Sequence, residues 1–238
     1  MKSDLPKALT LVGGKTILEH LLASIRVSDV DPRPIVVVGD RGGEVRRAMG
    51  DVCDYVEQGE PMGTGHAVAS AREAAGRAEV VVVLYGDHPF VSAQTLRRLV
   101  SRHEERRNTL TLMTTTVPDF QGWCRAFEHW GRVVRGSDGR IVGIREYKDA
   151  SPAEKEIREV NPALMCFDAA WLWENIRRLG RENAQREYYL TDLVAMAVAQ
   201  ERKLSSISVD PEEAVGINTP EEREIAETIL ARRRGARG

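Results

Sequence analysis

The 238-residue chain is 42% hydrophobic and 29% charged, a composition that is typical of one large folded domain. Its formal net charge of −2 excludes the strong basic field of a nucleic-acid-binding protein, and no apolar run is long enough to span a membrane. Residues 1–4 lack the apolar core of a signal peptide. Three widely separated cysteines indicate a reducing cytoplasm rather than a disulfide framework or a metal pair: Cys53, Cys124 and Cys166. We therefore expect a cytoplasmic protein without nucleic-acid or membrane partners.

The first part of the chain predicts alternating helices and strands. Thr16 can cap a helix whose apolar residues recur on one face: Ile17, Leu18, Leu21, Leu22 and Ile25. Pro34 precedes a predicted strand, Ile35–Val38, and a short helix should follow Gly42-Gly43. A second strand is predicted at residues 52–56. This alternation is typical of an α/β fold.

A glycine-rich stretch, Gly63-Thr64-Gly65-His66, precedes a helix of small residues that extends to Ala75. Glycines before a helix expose backbone N–H groups at the positive end of the helix dipole, where an anion or a nucleotide can bind. A tight turn between a strand and a helix explains the same pattern. The stretch alone leaves both interpretations open.

The run from Val80 to Leu84 is apolar and mostly β-branched, and it ends in Tyr85-Gly86-Asp87. A run that is apolar on both faces predicts a central strand of a parallel sheet with helices on either side. Ligands of such sheets bind beyond the carboxyl ends of the strands. Gly86 would let a ligand approach the backbone, and the Asp87 carboxylate suits a divalent cation and, through it, phosphates. On this dipeptide alone, Asp87 could equally begin a turn.

The second part of the chain predicts an antiparallel excursion and further helices. Ser92 can cap a helix, and an alternating strand is predicted at residues 109–117. Gly136-Ser137-Asp138-Gly139 indicates a hairpin between two short strands. Later strands are predicted at residues 164–167 and 204–209, with helices between them, and the final helix should begin with the capping box of Thr219, Pro220 and Glu222.

Several segments, in order along nearly the whole chain, resemble the uridyltransferase domain of bacterial N-acetylglucosamine-1-phosphate uridyltransferases, within the sugar-phosphate nucleotidyltransferases. The segments are Lys2-Ser3-Asp4-Leu5-Pro6-Lys7, Gly63-Thr64-Gly65-His66-Ala67-Val68, Leu84-Tyr85-Gly86-Asp87, Gly131-Arg132-Val133, Ile141-Val142-Gly143-Ile144-Arg145-Glu146, Lys148-Asp149-Ala150, Asn183-Ala184-Gln185, Glu187-Tyr188-Tyr189-Leu190-Thr191-Asp192 and Gly216-Ile217-Asn218. Each segment is weak alone, but the ordered set is specific.

This resemblance implies an α/β protein with a Rossmann-like nucleotide-diphospho-sugar transferase fold. Its mixed, mostly parallel sheet is flanked by helices and carries a small antiparallel excursion. Residues 1–238 would form one nucleotidyltransferase domain, with a nucleotide half at about residues 1–117 and a sugar-binding half at about residues 118–238. The implied substrates are a nucleoside triphosphate and a sugar 1-phosphate.

The family chemistry joins these substrates by attack of a sugar 1-phosphate oxygen on the α-phosphorus, with pyrophosphate as the leaving group. The phosphate is already a nucleophile, so catalysis requires positioning and charge neutralisation rather than a side-chain base. By resemblance, Asp87 and Asn218 hold Mg²⁺, and Lys7 neutralises phosphate charge. Gly63 and Thr64 match the loop at the nucleotide base and ribose.

The sugar side also carries over residue by residue. The matching positions that contact the N-acetylhexosamine and its phosphate are Gly131, Glu146, Asn161 and Thr191, and Tyr85, which precedes Gly86, matches the aromatic residue beside the sugar. Taken singly, Glu146 could be an exposed charge at a strand end, Asn161 a turn residue and Thr191 a helix cap. Within the ordered set, binding roles are favoured, most strongly for Lys7, Asp87, Glu146 and Asn218.

The largest departure from the family lies at the front of the chain. Met1 aligns with the methionine that ends the family's glycine-rich loop, so the first strand and that loop do not occur in this sequence. Either translation begins here, or the natural protein begins further upstream, which we favour because the loss would leave neighbouring strand edges unpaired. For these 238 residues we expect weak nucleotide binding and little or no turnover.

Smaller departures concern specificity. Pro61 stands where the family has a glutamine that reads uracil, and His129-Trp130 replaces Gly-Tyr beside the sugar. Pro162-Ala163 replaces Thr-Gly, and Arg186 replaces a glycine. The family's acetyltransferase domain of hexapeptide repeats, which forms its trimers, is also missing, so we expect a monomer or a weak oligomer. Transfer to another base or sugar 1-phosphate, or a catalytically silent sugar-nucleotide-binding module, remain alternatives.

Overall fold

The structure is a computed structural model that describes residues 5–235, and its sheets are built from short strands. The strands are β1 (Leu11–Val12), β2 (Lys15–Thr16), β3 (Ile35–Val38), β4 (Asp54–Glu57), β5 (Val80–Val83), β6 (Leu110–Thr116), β7 (Gly131–Arg135), β8 (Ile141–Arg145), β9 (Glu159–Asn161), β10 (Met165–Asp168) and β11 (Leu204–Ser208).

Helices alternate with these strands and cover them. They are α1 (Ile17–Ser28), α2 (Gly42–Met49), α3 (Thr64–Ser70), α4 (Arg72–Ala75), α5 (Ala93–Arg106), α6 (Pro152–Lys155), α7 (Ala169–Asn175), α8 (Asp192–Ala199), α9 (Pro211–Ala214) and α10 (Pro220–Gly235). Short 3-10 turns occupy Lys7–Leu9, Gly122–Phe127 and Ile176–Arg178. No helix within residues 5–235 is both long and apolar enough to cross a membrane.

The main sheet has seven strands in the order β5-β10-β6-β9-β7-β8, with β11 also paired to β6. The β6–β11 ladder is parallel, whereas β10 runs antiparallel to both β5 and β6. Strands β7, β8 and β9 add the predicted antiparallel excursion, with β7–β8 as the hairpin. The predicted α/β fold class is confirmed, and its antiparallel share is larger than we expected because β10 separates β5 from β6.

Strand β5 is not the central strand that its apolar run predicted. Among the described residues it pairs only with β10, and β3 pairs only with β4 in a separate two-stranded sheet. A groove of about 700 Å³ lies between β3 and β5, floored by apolar residues of α1 and by alanines of α3 and α4. Within residues 5–235, β5 and β3 each have one edge that pairs with no strand, which explains why Val80–Val83 is only half-buried.

Local sequence signals place several helix ends as predicted. Thr16 and Glu19 form a reciprocal capping box at α1, and the Ser92 hydroxyl accepts the Thr95 N–H at α5. At α10, the Thr219 hydroxyl accepts the Glu222 N–H, and the Glu222 carboxylate accepts the Thr219 N–H. Such caps satisfy backbone groups that the first turn of a helix leaves unpaired. The predicted single helix after Gly65 is divided at Ala71 into α3 and α4.

Two clusters of buried residues form the core. One lies under α1, α5 and α10 and includes Leu96, Met113 and Ile229; the other lies between the sheet and α7–α8 and includes Phe167. Arg132 is also fully buried, and its guanidinium donates to the carbonyls of Phe127, Glu128, Trp130 and Lys155. Arg132 therefore holds the turn before β7, and its side chain is engaged by backbone rather than directed at a substrate.

Two residues that replace glycines of the family have a left-handed backbone conformation. Ala163 has φ +58° and Arg186 has φ +57°, a conformation that costs an L-residue about 1–2 kcal/mol. We expect Ala163→Gly and Arg186→Gly each to stabilise the fold by about 0.5–1 kcal/mol, after allowing for the greater unfolded-state freedom of glycine. Chemical denaturation would measure this. Ala74→Gly in right-handed α4 is the control, and it should destabilise.

Candidate active site

Three residues that are far apart in sequence lie together at one end of the candidate site, which we call the phosphate end: Lys7, Asp87 and Asn218. The Ile217 N–H donates to the Asp87 carbonyl at 2.9 Å, which joins the end of β5 to the segment before α10. The Lys7 ammonium donates to Asn218 Oδ1 at 2.7 Å, and its charge also acts on the Asp87 carboxylate. Asp87, Asn218 and Lys7 therefore lie at one rim, as the sequence predicted. Gly86 leaves open space beside them, because a Cβ there would meet no atom within 4 Å.

The Asp87 carboxylate is held in its ionised form. Burial raises its pKa, but the attraction and hydrogen bond of His88, together with the Lys7 charge, outweigh burial and leave the pKa below its usual value. The His88 Nδ1 lies 2.7 Å from Asp87 Oδ1. Sequence reasoning did not assign His88 to the site; the signal that could have found it is an imidazole directly after the strand-end carboxylate.

The oxygens of Asp87 and Asn218 are the ligands that this rim offers to a metal ion. One carboxylate and one amide oxygen form a hard donor set, which suits a cation that keeps several waters and binds phosphates. Within residues 5–235, no three His, Cys, Asp or Glu side chains gather into a complete protein cage. The donor set therefore fits Mg²⁺ bound together with a polyphosphate, and it does not resemble a structural metal centre.

The glycine-rich stretch packs closely against the segment before α8. A Cβ on Gly63, which has φ +108°, would lie 2.8 Å from the Tyr188 backbone, and a Cβ on Gly65 would lie 2.5 Å from Leu179 Cδ1. The Gly65 N–H donates to the Tyr188 carbonyl at 2.8 Å. Close packing thus accounts for both glycines, and the Gly65 N–H is not free for an anion.

Thr64 and Tyr85 connect this stretch to the end of β5. The Thr64 hydroxyl accepts the Leu190 N–H at 3.0 Å and hydrogen-bonds to Tyr85. Burial raises the pKa of Tyr85, and the charges of Glu146 and Asp87 act in the same direction. Tyr85 therefore stays a neutral phenol between the phosphate end and the sugar-side residues. Pro61 lines the groove together with Gly63 and Thr64.

The four sugar-side residues also converge. Gly131 on β7 pairs with Asn161 on β9, and a Cβ at Gly131 would lie 3.4 Å from both carboxylate oxygens of Glu146. The Thr191 hydroxyl donates to Glu146 Oε1 at 2.7 Å. Asn161 is 4% exposed, and its Oδ1 has no hydrogen-bond partner among the described residues. A buried oxygen without a donor is costly, so this position suits a ligand that donates a hydrogen bond.

These contacts argue against the simple structural alternatives. Thr191 precedes α8, but its hydroxyl makes no capping hydrogen bond and turns to Glu146 instead. Asn161 lies in a strand rather than in a turn. Burial raises the pKa of Glu146, reinforced by the charges of Asp192 and Asp149 and opposed by the Thr191 hydrogen bond. Glu146 is therefore a half-buried carboxylate whose ionised form is destabilised, as is often found for functional groups.

The raised pKa of Glu146 predicts that the stability of the fold depends on pH. Because its folded pKa is raised from 4.5, the folded state binds more protons than the unfolded state above that pH, and stability falls as pH rises towards the folded pKa. We expect Glu146→Gln to remove this loss and to raise the melting temperature at neutral pH. Glu154, whose pKa is lowered by its bonds to Ser151, is the control: Glu154→Gln should lower the melting temperature. Thermal melts between pH 4 and 8 distinguish the two signs.

Trp130 packs against His88, the residue that follows Asp87. Its indole packs edge-on against His88, with ring centroids 5.4 Å apart, and against Phe127 at 4.9 Å. The neighbouring His129 instead packs on Tyr147. His129-Trp130 replaces the Gly-Tyr that the family has beside the sugar, and the ring contacts of Trp130 are with His88 and Phe127.

Comparisons with known proteins identify the family to which the sequence belongs. Residues 1–195 match the MobA-like NTP transferase domain family. The bifunctional protein GlmU of Brevibacillus brevis is 38% identical over an alignment of 238 positions that covers 98% of this chain and 49% of that protein. GlmU of Desulfotalea psychrophila is 37% identical over 98% of this chain and 68% of its own length. The chain thus spans about half the length of the Brevibacillus relative.

Solved structures of low sequence identity share the fold. A protein described as a glucose-1-phosphate thymidylyltransferase of Bacillus anthracis matches with a TM-score of 0.72 and 18% identity, over 95% of this chain and 86% of that one. A CMP:2-keto-3-deoxy-manno-octonic acid synthetase complexed with CTP matches with a TM-score of 0.70 and 17% identity, over 98% and 95% of the two chains. The match of residues 1–195 shows that the chain belongs to the MobA-like NTP transferase family, and its sequence resembles the uridyltransferase part of GlmU.

Proposed function

We propose that this chain is a sugar-1-phosphate uridyltransferase, which joins UTP and N-acetylglucosamine 1-phosphate to give UDP-N-acetylglucosamine and pyrophosphate. The observation that carries the proposal is a pair of chemically different residue groups whose charges both act on Tyr85. Lys7, Asp87 and Asn218 supply charge for phosphates, and the Glu146–Thr191 pair offers hydrogen bonds to a polar ring. Tyr85 lies between them, within electrostatic reach of both Asp87 and Glu146.

The reaction requires charge neutralisation more than proton transfer. An anionic oxygen of the sugar phosphate attacks the α-phosphorus, the bond to the β-phosphate oxygen breaks, and pyrophosphate carries away the electron pair. The Lys7 ammonium, which is exposed at the rim, would stabilise the negative charge that develops. Mg²⁺ held by Asp87 and Asn218 would supply further positive charge and orient the phosphates. No side chain needs to act as a base.

The sugar would be recognised by the buried residues Asn161 and Thr191 and by the half-buried Glu146. The Asn161 Oδ1 can accept a hydrogen bond from a sugar hydroxyl or amide, which would satisfy an oxygen that has no partner among the described residues. Glu146 accepts the Thr191 hydroxyl through Oε1, and its other oxygen could accept a hydroxyl of the sugar. Because a protein site rejects analogues that leave such groups unpaired, this pair favours a substrate with several polar substituents.

The identity of the base and of the sugar belongs to the proposal. The experiment is a pyrophosphate-release assay of the purified chain with UTP, dTTP, CTP and GTP, each combined with N-acetylglucosamine 1-phosphate and glucose 1-phosphate in the presence of Mg²⁺. We expect the highest rate with UTP and N-acetylglucosamine 1-phosphate. Because Pro61 replaces the residue that reads uracil in the family, a preference for another base is the result that would replace uridyl transfer by another nucleotidyl transfer.

A catalytically silent sugar-nucleotide-binding module is the second candidate, and it is favoured by the edges of β3 and β5 that pair with no strand among the described residues. It predicts detectable binding of UDP-N-acetylglucosamine by calorimetry without any pyrophosphate exchange. Glu146→Gln should weaken this binding in both candidates, so exchange is the measurement that separates them. We further propose a cytoplasmic monomer or weak oligomer acting on small molecules; the three free thiols fit a reducing compartment.

A further inference from the structure

His88 is a buried polar residue to which the proposed reaction assigns no role. It follows Asp87 directly and is 5% exposed. Its Nδ1 lies 2.7 Å from Asp87 Oδ1. An ionised carboxylate can only accept hydrogen bonds, so the Nδ1 must carry the hydrogen and donate it. His88 therefore occupies one of the two oxygens of Asp87 and leaves Oδ2 for other partners.

Neighbouring rings fix the plane of the His88 imidazole. The Tyr85 ring meets it edge-on with centroids 6.3 Å apart, and the Trp130 indole does so at 5.4 Å. Trp130 is in turn packed on Phe127. A ring that is held on two sides cannot rotate freely, so the direction of its Nδ1–H bond is set by packing rather than by Asp87 alone.

The same imidazole also contacts the segment that carries Asn218. A Cβ at Gly216 would lie 3.3 Å from both Cε1 and Nε2 of His88, which is closer than most side chains tolerate. The His88 Nε2 has no hydrogen-bond partner among the described residues. The ring thus fills the space between the end of β5 and the Gly216-Ile217-Asn218 segment, where the Ile217 N–H reaches the Asp87 carbonyl.

We propose that His88 is a positioning residue, which holds the Asp87 carboxylate and the Gly216-Ile217-Asn218 segment in the relative arrangement that binds a divalent cation and its phosphates. This inference rests on the proposed function, because it needs Asp87 to act as a cation ligand. Partners that orient a ligand in this way commonly change metal affinity by about 10–100-fold when they are removed. His88 acts through Asp87 and is not itself a ligand.

The test compares two substitutions of similar size in the 238-residue chain. His88→Asn places an amide nitrogen where Nδ1 lies, whereas His88→Leu fills the space without a donor. Mn²⁺ binding is measured from the electron paramagnetic resonance of free Mn²⁺, with UDP-N-acetylglucosamine present and Asp87→Asn as the reference for a lost ligand. We expect His88→Leu to weaken Mn²⁺ binding by about 10–100-fold, and His88→Asn to stay within about threefold of the unchanged chain. Melting temperatures show that each variant is folded.

The outcomes separate this inference from the proposed function. Equal Mn²⁺ affinity in His88→Leu and the unchanged chain would overturn the positioning role, as would equal losses in His88→Leu and His88→Asn. If the unchanged chain and Asp87→Asn both fail to bind Mn²⁺, the proposed metal site is wrong, and nitrogen NMR of the imidazole decides the remaining question. A protonated Nδ1 whose resonance shifts in Asp87→Asn supports the contact that holds the carboxylate; an unprotonated Nδ1 overturns it.

Discussion

Extending the chain at its N-terminus should raise its melting temperature by roughly 10 °C and its turnover by at least about 100-fold. The extension would be a strand and a glycine-rich loop of the kind that the family resemblance implies, taken from the Brevibacillus brevis relative. The strand should enter the groove of about 700 Å³ between β3 and β5. There it would pair two edges that have no partner strand among the described residues.

The expected gain follows from what lines the groove. Leu18, Leu21, Leu22 and Ile25 of α1 lie on one side, and the alanines of α3 and α4 lie on another, so a strand that is apolar on both faces would be buried on both. Burying about five such side chains gains roughly 10 kcal/mol, and ordering the residues costs most of it, which leaves about 3 kcal/mol. In a chain of this size, that corresponds to the expected shift in melting temperature.

The control is the same extension with a proline in the middle of the added strand. Proline lacks the N–H that a ladder needs, so this variant should melt close to the original chain and show little turnover. Pyrophosphate release and calorimetric melting are measured on all three proteins. Equal melting temperatures for the extended chain and its proline variant would show that the groove does not accept a strand. A strong gain in stability without turnover would favour the silent binding module.

Helix ends and the hairpin were predictable because their signals are local. The Thr16–Glu19 and Thr219–Glu222 boxes each satisfy backbone groups within one helical turn, so three or four residues of sequence determine them. The Gly136–Gly139 turn likewise follows from residues that accept tight-turn geometry, and β7–β8 pairs as predicted. Nothing distant in the chain has to be known for these elements.

The position of β5 was not predictable in this way. An apolar run such as Val80–Val83 predicts that both faces of the strand are covered, but it does not predict which strands lie on either edge. Strand β10 lies antiparallel between β5 and β6, and this position depends on the connection through β7, β8 and β9. The residues of β10 themselves give no signal that predicts it. Pairing between distant segments is set by the whole fold, so the larger antiparallel share emerged only with the structure.

The sequence predicted which residues form the candidate site, but it did not predict all of the contacts that those residues make. The ordered motifs placed Lys7, Asp87 and Asn218 in one set, and the structure brings them to one rim. The same motifs suggested an anion cradle at Gly63 and Gly65, whose small size is instead explained by the packing of Tyr188. His88 was overlooked because its meaning depends on the Gly216 segment, more than a hundred residues away.

Replacing Asp87 by asparagine should reduce turnover of the extended chain by on the order of 10²–10³-fold, comparable with the loss of a main charge-stabilising group. Asparagine keeps the shape of the side chain but removes the charge that faces Lys7 and would hold Mg²⁺.

Asp87 also affects the pH dependence of stability, in the opposite direction to Glu146, because its folded pKa is lowered. Its ionisation therefore stabilises the fold above the unfolded pKa of 3.8, and this stability is lost as pH falls through the folded pKa.

The chain offers a matched control for Asp87→Asn. Asp40 also follows a glycine at the end of an apolar strand, β3, but it is exposed and outside the candidate site. Asp40→Asn should leave turnover and the Mg²⁺ dependence of the rate unchanged, while Asp87→Asn should raise the Mg²⁺ concentration needed for half-maximal rate. Rates measured over a range of Mg²⁺ and UTP concentrations separate the two variants. Comparable turnover in Asp87→Asn and Asp40→Asn would mean that the end of β5 is not where the phosphates react.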